Sequence, residues 1–156
     1  MNIISNSVEE TLKIGKNLAK NLWPGDVIGL CGELGSGKTV LTKGIASGLG
    51  IAASNIISPT FVLIRQHQGG RLPLYHFDLY RLGNTKEIMA LGYEEYLYGC
   101  GVSVIEWADK LGYLLPQEIL KINLSITDKQ KRALEFKANG KHYQELITKL
   151  KDKTKQ

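Results

Sequence analysis

Gly32, Gly37, Lys38 and Thr39 stand at the spacing G-x-x-x-x-G-K-[ST] in "GELGSGKT" (32–39). An apolar run precedes the stretch and a helix-like one follows it, the context that this pattern needs to hold a triphosphate. Each residue type has a chemical reason. A loop wrapping phosphates turns its N–H groups inward, which calls for backbone angles that glycine tolerates. Gly35, Ser36, Gly37 and the N–H groups from Lys38 to Val40 would form that wrap. The helix starting near Lys38 aims its positive end at the same place. Lys38 can reach the β- and γ-phosphates, and the Thr39 hydroxyl can ligate Mg²⁺. The bland alternative is a glycine-rich turn that only joins strand to helix. G-x-G-x-x-G is not completed, because position 40 is Val, so a dinucleotide site is disfavoured.

Such a cradle needs a second carboxylate for the metal, at the end of a neighbouring buried strand. "VSVIEW" supplies Glu106 there, although an ordinary strand-end acid reads the same way. Asp78 ends the strand in "YHFDLYR" and could orient an attacking water or sit behind the metal; capping the strand or pairing with Arg81 is the alternative. His76 reads as structural. In "SPTF" (58–61), Thr60 could follow the γ-phosphate as switch loops do, or serve a turn together with Ser58. No N-K-x-D motif for guanine is present and no D-x-x-G follows Asp78, which favours ATP over GTP.

The elements that would position these residues can be traced from apolar spacing. Ser7 with Glu10 three residues on is a capping-box pattern, and Val8, Leu12, Leu18, Ala19 and Leu22 recur at helical spacing as far as Pro24-Gly25. "DVIGLC" (26–31) reads as a buried strand and "KTVLTKGIASGLG" as a helix carrying Val40, Leu41, Ile45 and Leu49 on one face. "TFVLIRQ" (60–66) and "LPLYHFD" (72–78) flank Gly69-Gly70 as a hairpin. One or two short helices broken at Gly92 span 84–98, and "GVSVIEW" (101–107) is another buried strand. Residues 119–126 and 132–138 alternate as an antiparallel pair with one wet face. A last helix follows Asn139-Gly140, with Tyr143, Leu146, Ile147 and Leu150 as its apolar stripe.

The 156 residues fit one domain over 1–156, with a basic tail at about 149–156. Net charge is +5, a mild excess compatible with RNA or a phosphate ligand as well as with a solvated tail. Two cysteines, Cys31 and Cys100, make neither a disulfide framework nor a zinc quartet. The N-terminus lacks a signal-peptide pattern, and no apolar stretch approaches the ~20 residues that span a bilayer. The expectation is a cytoplasmic protein with no membrane or DNA partner.

At "GELGSGKT", "SPTF", "HFDLYRL", "LGYEEYL" and "IEWADKL", in that order, the chain resembles the TsaE (YjeE) family, bacterial P-loop ATPases of tRNA threonylcarbamoyladenosine synthesis. The likeness covers about residues 7–116 closely and the remainder loosely. It implies an α/β fold, a P-loop NTPase-like three-layer sandwich whose mixed sheet has parallel central strands and antiparallel flanks. It implies binding and hydrolysis of ATP with Mg²⁺, in a complex with TsaD and TsaB that modifies adenosine 37 of tRNAs reading codons that begin with A. The transfer chemistry there belongs to TsaD, and the ATPase, weak alone, supports turnover. By family position Thr39 and Glu106 are the Mg²⁺ ligands, Thr60 and Asp78 the switch and catalytic candidates beside Lys38, and Trp107 a support. Ser7 and Arg132 fall where the family closes over the nucleotide. One departure is Val40, where the family often has a second Thr.

Two other functions fit the residues. A small-molecule kinase would need an acceptor pocket and an arginine-bearing lid, and the few arginines suggest no lid. A nucleotide-gated binding module would use ATP to order a loop and set affinity for a partner, with incidental hydrolysis.

Overall fold

The computed structural model describes residues 1–58 and 61–154. It begins with a strand that spacing alone does not announce. β1 (Asn2–Ser5) runs antiparallel to β7 (Arg132–Asn139), with Asn2 opposite Glu135 and Ser5 opposite Arg132. The partner is far off in sequence, so four residues of mixed character carry no local signal.

α1 (Val8–Ala19) starts at Ser7, whose side chain accepts a bond from the Glu10 N–H. Glu10 reaches back to the N–H of Asn6 at 2.7 Å rather than to Ser7, one residue beyond a regular capping box. The buried face is Thr11, Ile14, Gly15, Leu18 and Ala19. The expected Val8 is instead 57% exposed, and Leu12 is half-buried. Backbone proximity explains the rotation. α2 (Lys38–Gly48) packs so closely that a Cβ on Gly44 would lie 2.4 Å from the Leu12 carbonyl, and one on Gly15 2.6 Å from that of Leu41. Glycines on both helices let the axes approach, and this turns Gly15 inward.

The remaining strands are β2 (Val27–Cys31), β3 (Ile64–His67), β4 (Leu74–Asp78), β5 (Val102–Glu106) and β6 (Ile119–Ile126). They join one seven-stranded sheet in the order β1-β7-β6-β2-β5-β4-β3. β2 is parallel to both β5 and β6, and β4 is parallel to β5. The outer pairs β3–β4, β6–β7 and β1–β7 are antiparallel. β3 starts at Ile64, later than the expected 60, because Phe61 and Val62 form a turn and Leu63 has φ 62°. The expected strand start at Thr60 lies outside the described residues.

Helices cover both faces. α1, α2 and α5 (Lys141–Thr154) bury Leu18, Leu41, Ile45 and Leu146 against one side. α3 (Thr85–Ala90), α4 (Tyr93–Leu97) and 3-10 turns at Ala108–Leu114 bury Ile88, Leu97 and Leu111 against Phe77 and Ile105 on the other. Three layers result, and the central strands read as apolar runs because both their faces are covered. The lysine-rich end continues α5 as far as Thr154, with Leu150 buried. Among the described residues no helix is long and apolar enough to cross a membrane. The parallel strands β2, β4 and β5 all finish at one edge of the sheet, at Cys31, Asp78 and Glu106. In open α/β sheets that edge is where ligands bind.

Candidate functional site

The loop between β2 and α2 is built around positive φ angles. Gly37 has φ 103° and caps α2, and Gly35 has φ 80° with nothing among the described residues within 4 Å of a Cβ built on it. A side chain at either position would be strained by the backbone, whatever the room around it. Lys38, 5% exposed, folds back on this loop. Its ammonium donates to the carbonyls of Gly32 (2.6 Å) and Glu33 (2.9 Å) and to the Ser36 hydroxyl (3.3 Å). The Trp107 ring covers it at 4.1 Å. Burial holds the Lys38 pKa below its usual value, while the nearby Glu106, Asp78 and Asp109 carboxylates oppose that shift. A buried cation bonded only to carbonyls and a hydroxyl is a ready partner for an anion.

Facing it is a wall of acids. Asp78 and Glu106 are direct neighbours across β4 and β5, 5% and 2% exposed. Glu106 Oε2 accepts from the Thr39 hydroxyl at 3.1 Å. Glu106 Oε1 lies 3.3 Å from the Thr42 hydroxyl and 3.3 Å from His76 Nε2. Asp78 accepts from the Tyr80 N–H at 3.1 Å. Burial raises the Asp78 pKa and the Glu106 charge adds to this, whereas the Tyr80 bond, His76 and Lys38 act the other way. Thr39 also touches the Ser58 hydroxyl at 3.1 Å.

A hydroxyl and a carboxylate meeting at the floor of an open cavity are hard oxygen donors suited to Mg²⁺. Among the described residues no three His, Cys, Asp or Glu side chains cluster as a metal cage. That also fits Mg²⁺, which takes one or two protein oxygens and completes its shell with water and phosphate. Thr39 and Glu106 are the residues that would hold it.

A cavity of about 430 Å³ opens over this wall, bounded by Gly37, Thr39, Asp78, Glu106 and Trp107. A second, of about 330 Å³, lies on the other side of the loop, bounded by Ser7, Lys129 and Arg132. Gly35, Gly37 and Val40 line both. Arg132 ties β7 to the loop by donating to the Gly35 carbonyl at 3.2 Å. Trp107 sits in the left-handed region at φ 60°, ψ 41°, unusual for a bulky side chain and a form of strain that gathers at functional sites.

The structure thus places Gly35, Gly37, Lys38, Thr39, Asp78, Glu106 and Trp107 around the first cavity, and Ser7 and Arg132 on the second. Ser36 is buried beneath the loop, and Gly32 contributes the carbonyl that Lys38 binds. Thr60 lies outside the described residues. Spacing did not single out Thr42, it named Arg81, which lines the cavity, only as an alternative partner for Asp78, and it gave His76 only a structural role. Thr42 had a signal: it follows Lys38 by four, so it shares that helix face. His76 had one also, since strand alternation puts it on the same face as Asp78.

Comparison with known proteins places this chain among relatives. The family model described as "Threonylcarbamoyl adenosine biosynthesis protein TsaE" matches residues 5–134. The chain is 44% identical over 142 residues to the tRNA threonylcarbamoyladenosine biosynthesis protein TsaE of Bacillus subtilis, covering 91% of this chain and 88% of the relative. It is 39% identical over 138 residues to the protein of the same name from Rickettsia felis, covering 88% and 80%. A crystal structure of YdiB from Bacillus subtilis superposes with a TM-score of 0.86 at 38% identity, covering 99% of this chain and 95% of that one.

Proposed function

As the chain belongs to the TsaE family of threonylcarbamoyladenosine biosynthesis proteins, we propose that it binds ATP with Mg²⁺ and hydrolyses it, as the nucleotide-driven part of the machinery that forms threonylcarbamoyladenosine on tRNA. The observation carrying this is the 3.1 Å contact between the half-buried Thr39 hydroxyl and the buried Glu106, at the first turn of the P-loop helix. A Lys-Thr pair and a strand-end acid meeting in this way are the metal-holding parts of a P-loop NTPase.

The triphosphate lies in the first cavity, against the loop N–H groups. The ribose and base extend past Val40 into the second, where Ser7 and Arg132 stand. Lys38 exchanges the Gly32 and Glu33 carbonyls for phosphate oxygens. When bound, Mg²⁺ would neutralise charge on the β- and γ-phosphates. The loop amides and Lys38 stabilise charge that develops on the γ-phosphate oxygens. Asp78, 5% exposed at the strand end beside Glu106, orients the attacking water. Thr60 would follow the γ-phosphate as a switch residue.

Arg81 lines the cavity, but its guanidinium stacks on the Phe61 ring at 4.9 Å. Lys38 is therefore the cation that serves the transition state, and turnover by the protein alone is slow. Association with TsaD and TsaB supplies the rise, and hydrolysis in return supports repeated rounds by those partners.

ATP turnover by Lys38→Ala and Glu106→Ala tests the reading. Both are expected to fall to background, and full turnover in both would overturn it. Capture of TsaD and TsaB with and without ATP tests the partners, and association indifferent to nucleotide would contradict coupling.

A further inference from the structure

Glu106 is buried, so the donors to each of its oxygens can be counted. Oε2 has the Thr39 hydroxyl. Oε1 has two neighbours, the Thr42 hydroxyl and His76 Nε2, each at 3.3 Å. Thr42 has one proton, and the Lys38 carbonyl lies nearer its oxygen, at 2.9 Å. A hydroxyl that donates back along its own helix cannot also serve Oε1. Among the described residues His76 is then the remaining donor. It is wholly buried on β4, two residues before Asp78, and neither of its ring nitrogens has a hydrogen-bond partner among the described residues. A buried polar group without a partner is uncommon and calls for an explanation.

We propose that His76 is a positioning residue for the metal site: its Nε2–H holds Glu106 Oε1 from below, so that Oε2 and the Thr39 hydroxyl are presented together to Mg²⁺. This inference rests on the ATP–Mg²⁺ reading of the site. The 3.3 Å separation is already within hydrogen-bonding distance; what the contact lacks is alignment with the N–H, which a turn of the Glu106 carboxylate about its soft terminal torsion supplies. A neutral imidazole with its proton on Nε2 suffices, and no change of charge is involved. Donors behind a metal-ligating carboxylate set its direction, and their loss typically weakens metal binding by roughly 10–100-fold.

The experiment measures Mn²⁺ binding by electron paramagnetic resonance, with a non-hydrolysable ATP analogue bound, in His76→Leu, His76→Gln and His76→Asn. Analogue affinity in EDTA and the melting temperature are measured in parallel. Gln can place a donor near Nε2, whereas Asn can reach only the Nδ1 position. Mn²⁺ affinity is expected to fall by about tenfold or more in the Leu and Asn variants and to recover in Gln. Analogue binding in EDTA should stay within about twofold throughout, since hydrogen-bonded loop amides need no metal. Unchanged Mn²⁺ affinity in folded Leu and Asn variants would overturn the proposal, as would an equal loss in Gln and Asn. If His76→Leu fails to fold, the Gln–Asn pair alone decides. Wild type and Glu106→Ala separate the two levels. Glu106→Ala binding Mn²⁺ as wild type does would mean that the metal reading itself is wrong. A normal Glu106→Ala defect with unaffected His76 variants would remove only the role of His76.

Discussion

Val40 lines both cavities, where the triphosphate would give way to the ribose. Its backbone N–H remains available to phosphate, but its side chain offers no hydroxyl. Val40→Thr is expected to tighten ATP binding by about 1 kcal/mol, or about fivefold, measured by calorimetric titration. Turnover at saturating ATP should be unchanged, since the group lies away from the γ-phosphate. At this scale the sequence was informative where one loop or one strand end fixes a side chain's place. Lys38 and Thr39 follow from glycine spacing, and Asp78 and Glu106 from their places at the ends of apolar runs. Thr42 and His76 were harder to see, because each is brought beside Glu106 by the fold, and Glu106 is supplied by another element.

The approach of α1 to α2 joins the two cavities mechanically. α1 begins at Ser7 and α2 at Lys38, and both helices are held by glycine contacts in between. Gly44→Ala would drive a Cβ to 2.4 Å from the Leu12 carbonyl. Ala improves helix propensity by about 1 kcal/mol, but backbone has no rotamer with which to yield. We expect a net loss of about 1–3 kcal/mol in urea denaturation, with weakened ATP binding as Ser7 moves away from the loop. α5 is tied at the opposite end of the sheet, where the Val27 N–H donates to the Tyr143 hydroxyl at 2.8 Å. Burial pushes the Tyr143 pKa up to about 12, above the unfolded value of about 10. The fold therefore prefers the neutral phenol. Its contribution is complete below about pH 10 and is lost as pH climbs towards 12. Tyr143→Phe should lower stability at neutral pH by about 1–3 kcal/mol, through the unpaired Val27 N–H. It should also flatten the alkaline decline, read from urea curves at successive pH values. The elements themselves were mostly legible. β1 was not, because what makes it a strand is the open edge of β7, and the buried face of α1 was turned by backbone contact that apolar spacing does not encode.

Across the whole molecule, the P-loop, the acids of β4 and β5, and the Arg132 end of β7 converge on one edge of the sheet. A nucleotide there would touch both the centre of the sheet and its β1–β7 side. Saturation with a non-hydrolysable ATP analogue and Mg²⁺ at about 100 times its dissociation constant should add about 2.7 kcal/mol, seen as a higher melting temperature. In Glu106→Ala the Mg²⁺-dependent part of that shift should vanish. Strands beside helices could be read from apolar runs and alternation, and the parallel centre came as what the family resemblance implied, but the strand order could not be read, since it depends on crossovers that leave no periodic trace. That order sets the margins of the sheet at β1 and β3, each only four residues long. β3 also carries exposed Arg65 and Gln66. Open ladder is what lets one chain template another into fibres, and short, charged margins blunt it. β2 and β5, the apolar strands best suited to templating, lie inside the sheet and are paired on both sides, so among the described residues only the two short margins offer ladder to another chain.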